Sequence, residues 1–117
     1  MYLTNSIKHN NRKYKMGGLF DAETEMTKKM TLNYTEGRII SDCIISSPRN
    51  FRAHEFHYSK INNISKDTKF LYELKIGQGI QSNKDAVTEY NTIASYCHLY
   101  FDNGKFASNL IENSFKI

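Results

Sequence analysis

Asn91-Thr92-Ile93-Ala94-Ser95-Tyr96-Cys97-His98-Leu99-Tyr100-Phe101-Asp102 reads as a buried strand that carries a histidine to its end and passes at once into a helix start. An imidazole held at a sheet edge is suited to acid/base work, because its charge changes near neutral pH. Neighbouring side chains of a strand point to opposite faces, so Tyr96 and His98 are expected on one face and Ser95, Cys97 and Leu99 on the other. That geometry excludes Cys97 as a thiol partner for His98. The companion stretch is Arg52-Ala53-His54-Glu55-Phe56-His57-Tyr58-Ser59; together the two hold three of the four histidines.

On a strand the companion segment divides in the same way. Glu55, His57 and Ser59 share one face; His54, Phe56 and Tyr58 share the other. His54 and His57 therefore cannot ligate one metal, and their spacing is not the His-Glu-x-x-His that sets two ligands on one helical face. No metal site is expected. If the first face looks into a cleft, Glu55 and His57 are substrate-facing polar groups; otherwise they line a solvated strand face. The pattern alone leaves both readings open.

Outward from these segments, residues 30–41 read as a strand with Glu36-Gly37 as a bulge or turn, residues 46–50 as a turn and residues 51–59 as a strand. Residues 70–75 and 86–90 read as short strands, separated by turns at 76–80 and 82–85, a spacing that implies antiparallel hairpins. Residues 21–29 are polar and read as a loop or one helical turn. The opening 1–7 has an apolar triplet with no cap before it, like the middle of an element; 9–15 is a polar break, and Gly17-Gly18 permits a tight turn. In 105–115, Phe106, Leu110 and Ser114 fall on one helical stripe with Ala107, Ile111 and Phe115 beside it, giving a closing amphipathic helix capped by Asp102 or Asn103.

With 117 residues, 39% hydrophobic and 13% aromatic, the chain can build one core and no more. The net charge of +4 is scattered, apart from Lys8, Arg12, Lys13 and Lys15, and no basic-aromatic alternation accompanies it, so nucleic acid is not the expected partner. Cys43 and Cys97 lack disulfide or metal spacing, and no apolar run approaches the roughly 20 residues of a membrane helix. The expected location is the cytoplasm, with no membrane partner. Neither a glycine-rich phosphate loop ending in Lys-Ser/Thr nor a Gly-x-Ser-x-Gly elbow is present.

Three segments, residues 25–34 (EMTKKMTLNY), 54–59 (HEFHYS) and 94–101 (ASYCHLYF), resemble in order and spacing the C-terminal glutamine amidotransferase domain of the cobyrinate a,c-diamide synthases and of the nickel-sirohydrochlorin a,c-diamide synthases of methanogens. The resemblance runs over nearly the whole chain. It implies an α/β fold, the C-terminal half of a class I, flavodoxin-like glutaminase domain with mostly antiparallel hairpin strands and a C-terminal helix. It also implies that His98 is the triad-type histidine that takes the thiol proton and then protonates departing ammonia, with Glu55 and His57 in or beside the same cleft. The implied partners are glutamine and a tetrapyrrole whose a- and c-acetate side chains become amides. ATP and magnesium are implied for the full-length family enzyme, with no cofactor bound by this chain.

In that family the nucleophile lies in a Cys-Gly-Gly elbow immediately before a Met-Tyr-Leu segment, and this sequence opens with Met1-Tyr2-Leu3. The resemblance therefore implies a partial domain over 1–117, with the catalytic cysteine just upstream and the ATP-binding domain outside the chain. Tyr100 stands where many relatives carry a second histidine. Two alternatives stay open beside a ligase fragment: a non-catalytic half that docks on a separate chain carrying the cysteine, and a small basic binding module.

Overall fold

The structure is a computed structural model that describes residues 1–101 and 105–116. Among these, eight strands form one sheet and a single helix follows. The strands are β1 (Thr4–His9), β2 (Arg12–Lys15), β3 (Phe20–Ile39), β4 (Arg49–Asn62), β5 (Lys69–Ile76), β6 (Lys84–Glu89), β7 (Thr92–Ala94) and β8 (Cys97–Leu99); the helix is α1 (Phe106–Ser114). Every pairing is antiparallel except that of β1 with β3. The mixed class with mostly antiparallel strands and a C-terminal helix is the one expected.

β3 is the spine. Twenty residues of straight strand would span roughly 65 Å at about 3.3 Å per residue, more than the 42 Å of the molecule's longest dimension. The strand must bend, and its register against β4 shifts between Met26 and Thr31. Its first half lies between β1 and β4, its second between β5 and β4. Residues 21–29 thus belong to a strand, not to the loop or helical turn expected. Small Ala22 and Thr24 make the buried face here, while Glu23 and Glu25 point outward to Lys13, Asn63, Lys60 and Asn62. Hydropathy does not register a buried face built from alanine and threonine. The polar break at 9–15 is a hairpin whose Asn10 and Asn11 have φ of 48° and 60°, the left-handed pair that a type I′ turn needs.

The path β7-β6-β5-β3-β4-β8 has ends that are consecutive in the chain, separated only by Ser95 and Tyr96. Two residues cannot span an open sheet of this width, so the sheet curls back on itself. Inside the curl lie Ile39, Phe51, Leu71, Tyr72, Leu74, Ala86 and Cys97, joined by Ile45 and Phe106. The Phe51 and Tyr72 rings meet at 4.7 Å, a spacing favourable for aromatic pairs.

The helix docks differently from its apolar pattern. Phe106 is buried beneath the Arg49 guanidinium, but Leu110, Ile111 and Phe115 are exposed. Asn109 and Asn113 do the anchoring, donating their amides to the Ile45 and Ile44 carbonyls at 3.0 and 2.8 Å. The expected cap at Asp102 or Asn103 lies outside the described residues. No helix among the described residues is long and apolar enough to cross a membrane.

Glu36-Gly37 is a register irregularity, as expected, on the side facing β5. A Cβ on Gly37 would meet the Glu73 carbonyl oxygen at 2.6 Å and the Leu74 and Phe51 side chains at 2.9 Å. Backbone on one side and packed core on the other leave no room to yield. Gly37→Ala is expected to cost about 1–3 kcal/mol, read as a lower denaturant midpoint at an unchanged slope.

Candidate functional site

The expected continuous strand over 91–102 is broken. β7 ends at Ala94 and β8 starts at Cys97, because the buried carboxylate of Asp85 on β6 accepts the backbone N–H groups of Tyr96 at 3.1 Å and Cys97 at 2.8 Å. Those two donors would otherwise have to meet a strand partner. Burial raises the Asp85 carboxyl above its ordinary range, with the N–H donors pulling against it. The break corrects the expected face assignment. Alternation resumes only at Cys97, so Tyr96 turns to the inner side of β4, where its ring stacks on His57 at 3.7 Å and its hydroxyl meets Ser59 Oγ at 2.6 Å. His98 turns outward. The two side chains do not share a face.

Glu55, His57 and Ser59 do share one face of β4, and His54, Phe56 and Tyr58 the other, as strand alternation requires. Glu55 is fully buried and accepts four hydrogen bonds: Gln78 N–H at 2.7 Å, Asn33 Nδ2 at 2.9 Å, His57 Nε2 at 3.1 Å and Gly79 N–H at 3.2 Å. Burial alone would raise its pKa; the donors, led by Gln78 N–H and Asn33, more than offset it and hold the carboxyl below the ordinary range. The loop bearing Gln78 can wrap the carboxylate because Gly79 adopts φ +64°, with the Lys84 carbonyl oxygen only 2.6 Å from where a Cβ would sit. His57 also meets the Ser59 carbonyl oxygen through Nδ1 at 2.8 Å. Both of its ring nitrogens thus face acceptor oxygens, of which a neutral imidazole can donate to only one.

His98 is arranged differently. It is exposed, its Nδ1 lies 3.1 Å from His54 Nε2, and among the described residues no partner meets its Nε2. His57, Ser59, Tyr96 and His98 line a cleft of about 440 Å³, whose remaining walls include Met1, Leu3, Phe20 and Val87. Glu55 lies behind His57 and does not reach the cleft wall. Cys97, directly across from Glu55 in the β4–β8 register, is buried in the core. Burial, reinforced by the Asp85 charge, pushes its thiol far up, so it stays protonated and unreactive. The contributions of Asn33, Tyr96, Asp85 and the 78–79 loop had no motif to announce them; the acidic residue just before Ala86 was the nearest available signal.

Because the native Glu55 carboxyl is depressed, its stabilisation is present above the unfolded value of about 4.3 and is lost as pH falls through the native one. Asp85 acts in the opposite sense, since its raised carboxyl loses stabilisation as pH rises above the unfolded value of about 3.9. A comparison with Glu55→Gln isolates Glu55. The variant is expected to be less stable than wild type by roughly 1–3 kcal/mol at neutral pH, with the gap narrowing below about pH 4, measured by urea unfolding across pH.

The model of the CobB/CobQ-like glutamine amidotransferase domain matches residues 1–106. Among curated proteins, the chain is 42% identical over 106 residues to a cobyrinate a,c-diamide synthase of Sulfurisphaera tokodaii, covering 90% of this chain and 24% of that protein. It is 39% identical over 105 residues to the cobyrinate a,c-diamide synthase of Saccharolobus solfataricus, covering 88% and 24%, and 36% identical over 114 residues to that of Methanocaldococcus jannaschii, covering 95% and 25%. The chain spans about a quarter of the length of the curated relatives it matches. With the family model covering nearly all of it and the curled sheet carrying the three segments that drew the resemblance, this chain belongs to the CobB/CobQ-like glutamine amidotransferase domain family.

Proposed function

We propose that this chain supplies the histidine side of a glutaminase site in an amidating ligase, with His98 as the general base and acid. The observation that carries the reading is the cleft. Met1 and Leu3 line it together with His98, and in the family resembled the nucleophilic cysteine immediately precedes a Met-Tyr-Leu segment. A thiol contributed from that side would share the cleft with His98, whose Nε2 has no partner among the described residues.

The chemistry then runs as follows. His98 Nε2 takes the thiol proton and the thiolate attacks the side-chain amide carbon of glutamine; the C–N bond breaks as the imidazolium returns its proton to the leaving nitrogen. Ammonia departs and a thioester remains, which water hydrolyses to glutamate. His57 forms part of the wall, with Glu55 behind it, and both of its ring nitrogens already face oxygens of the chain. The thiol comes from outside this chain: Cys97 is buried with a raised pKa, and Cys43 is turned to the Ser46 carbonyl at 3.4 Å.

Similarity to cobyrinate a,c-diamide synthases supports cobyrinate, a tetrapyrrole carboxylate, as the acceptor of the ammonia, and a cytoplasmic setting accords with that role. ATP and magnesium activate the acceptor carboxylates in the family. The residues present here do not fit either: the sequence has no glycine-rich phosphate loop, and among the described residues no group of three or more His, Cys, Asp or Glu converges. No step above runs through them, and both are assigned to sections outside this chain.

The purified chain alone is expected to release no ammonia from glutamine. Joined to the cysteine-bearing half of the Sulfurisphaera tokodaii relative, it is expected to hydrolyse glutamine, and His98→Ala to lower kcat by about 10²–10⁴-fold. Hydrolysis by the chain alone would overturn the assignment of the thiol; a joined enzyme indifferent to His98→Ala would overturn that of the base.

A further inference from the structure

We propose that His54 is the positioning residue of the site: it accepts a hydrogen bond from His98 Nδ1–H and so keeps the lone pair of His98 Nε2 free for the thiol proton. The inference rests on the reading of His98 as the glutaminase base.

The β4–β8 register sets His54 directly across from His98. Both side chains lie on the outer face, their rings meet edge to face with centroids 4.7 Å apart, and His98 Nδ1 is 3.1 Å from His54 Nε2. A neutral imidazole has one N–H and one lone pair, so the contact has two forms. In one, His98 Nδ1 donates and its Nε2 keeps the lone pair. In the other, His54 donates, and His98 carries its hydrogen on Nε2 with no lone pair there. Only the first form can take a proton at Nε2, the nitrogen without a partner among the described residues.

A carboxylate is the usual orienting group for a catalytic histidine, and among the described residues the two fully buried carboxylates are committed elsewhere. Glu55 is on the opposite face of β4 and already accepts four hydrogen bonds. Asp85 accepts the Tyr96 and Cys97 N–H groups. Glu36 pairs with Arg52 at 3.6 Å. Among the described residues, His54 is the group in hydrogen-bond contact with His98.

The test is the tautomer of each ring, read by long-range proton–nitrogen NMR on the full chain labelled with 15N-histidine, at a pH above the ordinary imidazole range, with His98→Ala identifying the His98 signals. In wild type His98 is expected as the Nδ1–H tautomer and His54 as the acceptor through Nε2. His54→Ala should shift His98 to predominantly Nε2–H, the form favoured by a free histidine side chain, whereas His54→Gln, which offers an amide oxygen, should restore Nδ1–H. An Nε2–H His98 in wild type, or one unmoved by His54→Ala, would overturn the proposal. The wild-type spectrum decides this without any variant having to fold. The readout is independent of glutamine hydrolysis, so an Nε2–H His98 in a chain whose joined enzyme still depends on His98 overturns the pairing alone.

Discussion

The arrangement of this site depends on one buried carboxylate accepting two consecutive backbone N–H groups. Asp85 pulls the Tyr96 and Cys97 amides toward β6 and interrupts what would otherwise be a single strand from Thr92 to Leu99. The interruption closes the curled sheet with two residues and shifts side-chain alternation by one step. Tyr96 is thereby placed on His57, and His98 on the outer face against His54. Burying a carboxylate is unfavourable without donors, and the raised Asp85 carboxyl records that burial; the two amides, which need acceptors of their own, make the burial tolerable.

Glu55 solves the same problem in the other direction. Four donors outweigh its burial and depress its carboxyl, and they come from three separate parts of the chain: Asn33 on β3, His57 on β4 and the 78–79 loop after β5. The carboxylate therefore ties the loop to the two longest strands. Its hold on His57 has a chemical consequence as well. With Nε2 on Glu55 and Nδ1 on the Ser59 carbonyl, His57 is a fixed wall under Tyr96, while His98, two positions past Tyr96, has no partner at Nε2 among the described residues. Two histidines bordering one cleft are thus set apart by their partners, one met at both ring nitrogens and one at Nδ1 alone among the described residues.

The alternation of residues 51–59 was legible because each strand face there has its own chemistry, and it correctly divided Glu55 and His57 from His54. The exclusion of Cys97 was also legible, although its burial, as much as its direction, makes it inert. The break at 95–96 was not, since its cause lies eleven and twelve positions upstream of the two amides and a lone aspartate before Ala86 carries no local mark of two amide acceptances. The strand over 21–29 escaped because Ala22 and Thr24, residues of weak hydropathy, form its buried face. The helix was read correctly as an element, but its docking edge is Asn109 and Asn113, polar residues that serve carbonyls of the 44–45 turn. Apolar periodicity has no access to such a contact.

A neutral histidine as orienting partner is less effective than a carboxylate at stabilising an imidazolium, and on a serine hydroxyl mechanism that would be a serious deficit. A thiol changes the balance. Proton transfer from a cysteine to a histidine produces thiolate and imidazolium side by side, and each supplies the other's counter-charge. What the histidine then needs from behind is direction: the correct tautomer and a ring plane aimed at the sulfur. On the proposed reading His54, fixed opposite His98 by strand register and packed edge-on against it, provides direction without adding charge. On the proposed reading, a segment covering the exposed apolar side chains beside the pair, Leu32, Tyr34 and Phe56, would remove water from the ion pair and strengthen an attraction that bulk solvent otherwise screens.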